Sequence, residues 1–473
     1  MRNKPVQMSL FDTHNNISEL MEQQKPKLIR LLEEHIDFES LMPLGFHLKF
    51  YCRMGRKRIY HLESFIRSLV LQKILGIPSD ALLISILQCS RELQAFCGFK
   101  KIPDASKFTR FREDYADCLA DFFHRLVELT EPVCREINEK KADYLMYDTT
   151  GIELPVAENN PKFLSTKLKE ARKIAKGNPE YDPYKGVYSL LPDSSRANSD
   201  ARQQYIDGHF CYAVKAGIAT NGLGIVRHIS FFDEDFRNRH PEVCHAKGDS
   251  PEAMKEIGDS SSLRPVLADF RTIHPCLSYR TFLGDAAFDS YDNYAMLKDE
   301  MGFERVCVPL NKRNAGKAAG TDASGTPVCP VDGTPFRYLG KSGGKNRSMR
   351  FKWVCHKSEA RGNTRVCTCD HPCTKSAYGK CAYTYPGKDF RLYPGIARGT
   401  EHWKNLYRHR VAIERTISLM KDTFVLDSRR SHRTVSAKAD LYLAGIVQLI
   451  GVLLAKSMYK IELYKSVRRL IAA

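Results

Sequence analysis

The stretch Tyr407–Lys421, YRHRVAIERTISLMK, sets Tyr407, Arg410, Glu414 and Lys421 at offsets 0, 3, 7 and 14. At 3.6 residues per turn these positions fall on one side of a helix. A solvated face stitched by ion pairs accounts for any single pair among them. One carboxylate with two cations and a phenol is also half of a metal-dependent phosphodiester site. Such a site needs two more carboxylates, and the rest of the chain has to supply them.

Two strand ends offer them. Tyr144-Leu-Met-Tyr-Asp148 is an apolar run closing on an acid, followed by Thr149-Thr150-Gly151. It predicts a strand that delivers Asp148 at its C-terminal end. Arg280-Thr-Phe-Leu-Gly284 predicts another, ending at Asp285. Phe210–Ala216 and Ile225–Ser230 read as two further strands around the turn residues Asn221-Gly222. Ser290–Met301 reads as a helix and Glu304–Pro309 as a fifth strand. That order describes an α/β, RNase H-like core, a mixed sheet flanked by helices. Its acids run Asp148, Asp285, Glu414. Either aspartate alone is a turn or cap residue; three acids in one order point to a shared site. Asp289, Asp292, Asp233 and Asp235 compete, and Asp285 is preferred to Asp289 because it ends the strand directly.

The chain has 473 residues, 43% hydrophobic and 27% charged, an ordinary globular composition with room for several domains. A net charge of +18 and a pI near 9.2 point to a polyanion, nucleic acid before membrane. The N-terminus, MRNKPVQMSLFDTHNN, has no apolar leader, and fifteen cysteines without one suggest a reducing compartment, with the cytoplasm as the default. The apolar run Leu441–Ala455, interrupted by Gln448, reads as a buried helix rather than a membrane span.

From Ile17 to about Lys140 the pattern is helical. Leu62, Phe65, Ile66, Leu69 and Ile74 form a stripe closed by Gly76, and Ser79 or Asp80 can cap the next helix. The basic residues Lys100, Lys101, Lys107, Arg110 and Arg112 suit a helix-turn-helix-like DNA reader; a helical packing or dimerisation module fits the pattern equally. The expected organisation is therefore a helical region over 1–140 and a core over 141–310 with a surface excursion at 159–204. An insertion occupies 311–400, and the C-terminal core helices span 401–473.

The insertion carries 17 Lys and Arg against 5 Asp and Glu, most of the chain's excess charge. It holds Cys329, Cys355, Cys367, Cys369, Cys373 and Cys381, with His356 and His371 among them. A segment this poor in aliphatic residues suggests structural zinc on those cysteines, with free thiols as the plain alternative. The spacing is irregular: Cys329-Pro-Val-Asp-Gly is a knuckle with Asp332 in place of a second cysteine.

These motifs resemble those of the DDE transposases of bacterial insertion sequences, in the group with a Y-x2-R-x3-E-x6-K signature. Tyr407, Arg410, Glu414 and Lys421 match it without a gap, and YDTTG and LGDAAFDS resemble the segments around its two aspartates. The resemblance implies that Asp148, Asp285 and Glu414 hold two Mg²⁺ or Mn²⁺ ions. It implies that Tyr407, Arg410 and Lys421 contact DNA phosphate, and it makes Trp403 a candidate to stack on a flipped base, with packing against the core as the plainer role. It further implies terminal inverted repeats and target DNA as substrates, cut-and-paste transfer of a 3′-OH, and a dimer or higher assembly on DNA. A host-adopted DNA-binding protein or a nuclease of the same fold without strand transfer is the alternative.

Overall fold

The computed structural model describes residues 25–51, 57–178, 180–206, 208–244, 257–311, 320–322, 324–344, 347–385, 390–391, 393–428 and 431–472. The chain divides into two compact units, Cys134–Ile417 and Met1–Val133 with Ser418–Ala473. The C-terminal segment expected with the core thus parts at Ser418.

In the Cys134–Ile417 unit, six strands form one mixed sheet: β1 (Tyr144–Glu153), β2 (Arg202–Ile206), β3 (His209–Asn221), β4 (Val226–Phe231), β5 (Thr281–Leu283) and β6 (Arg305–Cys307). Their order is β2-β3-β1-β5-β6, with β4 also on β3. The pairs made by β3 are antiparallel, while β1–β5 and β5–β6 are parallel. The short parallel strands are apolar on both faces because both are covered. Leu145, Phe282 and Val306 lie in register and pack on one side with Leu263, Val266 and Phe270 of the Asp259–Ile273 helix. On the other side Met146, Leu283 and Cys307 form a row on which Leu406 and Ile413 rest.

Strand β1 runs five residues past Asp148, so that acid sits within a strand rather than at its end. The parallel ladder with β5 stops at Met146↔Leu283, whereas the antiparallel ladder with β3 continues to Glu153↔Ala213. The region 159–204 is also more regular than a surface excursion. It contains the helix Pro161–Gly177 and ends by feeding the edge strand β2.

The insertion contributes β7 (Arg337–Gly344), β8 (Arg347–Val354) and β11 (Cys381–Thr384) in the order β11-β8-β7, and a separate pair, β9 (Ser358–Arg361) with β10 (Thr364–Cys367). It has a core of its own, aromatic instead of aliphatic. Phe336, Phe351, Trp353 and Tyr393 pack with Cys329 and Cys355, and Trp353 Nε1 donates to Thr384 Oγ1 at 2.9 Å. That core weakens the premise that the segment needs a metal in order to fold.

The unit of Met1–Val133 and Ser418–Ala473 is helical. Gly76 ends the Leu62–Leu75 helix in the left-handed region (φ 68°), and Ser79 caps the Asp80–Cys89 helix by accepting from Leu82 N–H. The predicted buried helix is longer than the apolar run alone suggested. It spans Thr434–Ser457, and 89% of its most apolar window is buried.

Four of the five basic residues expected to read DNA are exposed; Arg112 is not. Its guanidinium donates to Asp80 (2.8 and 2.9 Å), Asp440 (3.0 Å) and Gln72 (2.8 Å). A buried cation is tolerable only when paired this fully. Arg112 is therefore a structural cross-link among the unit's helices. Arg112→Ala should destabilise this unit by roughly 3–5 kcal/mol, because Asp80 loses its cation and Asp440 keeps only Lys73. Thermal unfolding of the full chain checks this, and Arg110→Ala, at an exposed site, should stay within about 0.5 kcal/mol.

Candidate active site

Side chains two residues apart on a strand share a face. Asp148 lies two beyond Met146, and Asp285 two beyond that residue's register partner Leu283. The two aspartates therefore leave neighbouring parallel strands side by side, just past the last rung of the ladder. Asp285 then caps the single turn Ala286–Phe288, accepting from Ala287 N–H at 2.9 Å. The cap role and the strand-end role belong to the same residue.

Glu414 comes from the helix Val411–Ser418, seated over the Met146–Leu283–Cys307 row by Ile413. The β3–β4 turn holds the helix from the side. Thr416 Oγ1 donates to Gly224 O at 2.6 Å. Gly224 has φ 80°, and a Cβ there would lie 3.2 Å from Ala412 O. Only glycine fits both the conformation and the approach.

Arg410 joins the three acids. Its Nη1 pairs with Glu414 Oε1, and its Nη2 lies 3.3 Å from Asp148 Oδ2 and 3.8 Å from Asp285 Oδ2. The carboxylates thus converge on one volume now shared with a guanidinium. The structure places Arg410 inside the acid cluster.

The single-helix stripe predicted over Tyr407–Lys421 does not form. The segment is α-helical over Glu401–Tyr407, 3₁₀ over Arg408–Arg410, α-helical again over Val411–Ser418, and a π turn over Leu419–Thr423. Each change of pitch rotates the residues that follow, so the 3.6-residue arithmetic fails across it. The Arg410–Glu414 pair survives; Lys421 falls in the other compact unit. Trp403 and Tyr407 stack with ring centroids 4.9 Å apart and planes at 11°, and both pack against the Met146–Ile413 cluster. The packing role of Trp403 is thus realised, while its buried Nε1 has no hydrogen-bond partner among the described residues.

The competing acids separate cleanly. Asp289 is fully buried, held by Arg391 at 2.7 and 3.1 Å and by Asn311 N–H at 2.7 Å. It ties the return of the insertion to the loop after Asp285. Asp233 caps the helix Glu234–Arg239, and Asp235 and Asp292 lie in first helical turns.

One acid escaped the sequence reading. Asp259, at the start of the Asp259–Ile273 helix, accepts from Thr149 Oγ1 (2.6 Å) and Lys215 Nζ (2.5 Å). It stands behind Asp148 on the opposite face of β1. The search for acids at strand ends passed over one at a helix start.

Among the six insertion cysteines, no three bring donor atoms within 4.8 Å of one another. Cys329 and Cys355 share the aromatic core, while Cys381 pairs across from Val354 and so faces away from Cys355.

Two family comparisons match the chain. A family described as "Transposase domain" covers residues 18–114, and one described as "Transposase DDE domain" covers residues 255–450, which include Asp285, Arg410 and Glu414. The chain belongs to the DDE transposases. It is a DNA transposase, an enzyme that cleaves DNA and transfers strands. No curated protein matches it. Among solved structures, a piggyBac transposase synaptic complex with hairpin DNA aligns over 94% of this chain and 78% of that one, at 10% identity and a TM-score of 0.38. At that score the likeness carries no argument.

DDE domains generally use divalent metal ions, and the donor set of this transposase fits them. Three carboxylates suit a hard cation, and crowding them without a positive charge would be costly. Burial, against the pull of Arg410 and with the push of Asp285 and Asp259, raises Asp148 to about 6. Asp285 is raised by burial too, against the Ala287 N–H and Arg410. A carboxyl raised above its unfolded value favours the protonated folded form. Asp148 thus contributes most to stability below the unfolded value near 4, and that contribution is lost as pH rises through about 6. A cation must displace the same proton. Mn²⁺ affinity, read by titration calorimetry, should be level above pH 7 and fall toward tenfold per unit below pH 6. An affinity independent of pH between 5 and 7 would contradict the placement of Asp148.

Proposed function

We propose that this transposase moves DNA by cut-and-paste, with an RNase H-like core that holds two Mg²⁺ or Mn²⁺ ions on Asp148, Asp285 and Glu414. The strand order supports the core reading. Taking β1, β3, β4, β5 and β6 as first to fifth gives 3-2-1-4-5, three antiparallel strands followed by two parallel ones. The observation that carries the site is Arg410 in reach of all three carboxylates. Bound there, the ions would supply Lewis-acid stabilisation of the attacking and leaving oxygens of a phosphodiester.

The chain's own groups do the rest. Asp148 and Asp285, fixed by sheet register, set the rigid side of the site, and Glu414, half exposed on its helix, forms the open side. Arg410 neutralises the acids and is the cation best placed to turn to a scissile phosphate. Tyr407 and the stacked Trp403 form an aromatic floor beside it, on which a flipped base can stack. Water attacks at the terminal inverted repeats, and the freed 3′-OH then attacks target DNA. Lys421 and the basic insertion bind backbone phosphate. A dimer or larger assembly on DNA, in a bacterial cytoplasm, completes the reading. Structural zinc in the insertion belongs to it as well, with Cys329 and Cys355 as the ligands nearest to a shared site.

An adopted DNA binder would have no use for three converging acids held by one arginine, which favours the enzyme. Asp148→Ala and Glu414→Gln should each lower Mg²⁺-dependent cleavage of terminal-repeat DNA by at least a thousandfold and leave DNA binding within about threefold. Cleavage assays and gel shifts on the same preparations check this. Cleavage unchanged in both variants would sink the site assignment.

A further inference from the structure

Where β1 ends and β3 begins, three donor side chains of different chemistry meet on one face of the sheet. His209 and Cys211 are two residues apart on β3 and so project to the same side. Glu153, the last residue of β1, is paired with Ala213, the next position on that face. The glutamate is therefore the diagonal cross-strand neighbour of Cys211. His209 Nε2 lies 2.9 Å from Glu153 Oε2, and one ligand atom from each of the three residues lies within 4.8 Å of the others. Among the described residues, no other three His, Cys, Asp or Glu side chains converge this closely. Cys211 is buried, His209 is open to solvent and Glu153 is partly so.

We infer that Glu153, His209 and Cys211 form a zinc site, with its fourth position left to water or an external ligand. A thiolate, an imidazole and a carboxylate are the three ligand types that zinc accepts in tetrahedral geometry. The thiol and imidazole argue against Mg²⁺ or Ca²⁺, which take oxygen ligands. An exposed His–Glu ion pair explains two of the three residues and leaves the approach of the buried thiol unexplained.

The site is separate from the catalytic acids. Asp148 and Glu153 are five residues apart on β1 and so project to opposite faces. The zinc would instead clasp the end of β1 to the start of β3. The chain leaves the sheet there, with Leu154 N–H on Tyr212 O and Asn159 Nδ2 bridging Leu154 O and Tyr212 O. Its role is a local clamp, and its ligands serve no other function assigned to this enzyme.

The test counts zinc on the full chain, purified reduced and without chelator, then loaded with Zn²⁺ and desalted before elemental analysis. His209→Ala and Glu153→Gln change side chains that solvent reaches and should leave the far-ultraviolet circular dichroism unchanged. Each is expected to bind one equivalent less than the parent. With Co²⁺ in place of zinc, the sulfur-to-cobalt charge-transfer band should weaken in Cys211→Ser and persist in Cys381→Ser. Equal zinc content in the parent and in both the His209 and Glu153 variants would overturn the proposal. So would zinc lost only on Cys355→Ser, which would assign the metal to the insertion. Because bound metal is counted and DNA cleavage is not read, the result is independent of the catalytic reading.

Discussion

Arg410 reaches three carboxylates that come from three separate parts of the chain, one from each of two strands and one from a helix. Nothing local brings these groups together. The two aspartates are neighbours because β1 and β5 pair with Met146 opposite Leu283. A slip of one residue would turn one aspartate to the other face of the sheet. The apolar row Met146–Leu283–Cys307 fixes that register, and the same row seats Ile413, which brings Glu414 into place. Core packing and the geometry of the acid cluster are thus one constraint.

The electrostatics follow from this arrangement. Burial and mutual repulsion raise Asp148 and Asp285, and Arg410 offsets part of that cost. Carboxylates crowded in this way favour the protonated form unless a cation stands among them. Asp259 adds to the repulsion from the far side of β1, balanced by Lys215 and linked to the site through Thr149. Asp289 serves differently. Clamped by Arg391, it anchors the loop after Asp285 to the returning end of the insertion, so that a long excursion does not loosen the second aspartate.

Much of this was legible in the chain itself. The period-two runs at Tyr144, Phe210, Ile225, Arg280 and Glu304 mark five of the six sheet strands. The acid after each of the two key runs is one of those that Arg410 reaches. Strand β2 was missed because RQQYI has no apolar alternation; it is an edge strand held by backbone pairing to β3. The helical stripe over Tyr407–Lys421 read correctly for Arg410 and Glu414, four residues apart, and failed beyond them. The local sequence does not announce the 3₁₀ and π turns that reset its phase. The insertion looked coreless because its aromatic residues are scattered in sequence and gather only when β7, β8 and β11 pair.

The sequence by itself determined the order of the three candidate acids along the chain, the alternation of strands and helices around them and the basic balance. These depend on residue type and short-range period, which a chain carries locally. Tertiary structure decided the rest. It set Arg410 at the hub of the acid cluster. It buried Arg112 between Asp80 and Asp440, and it set Asp259 behind Asp148. It also brought His209, Cys211 and Glu153 onto one face. Each of these depends on which distant segments share a sheet face or a helix contact, and that follows from pairing register and packing over separations of tens to hundreds of residues.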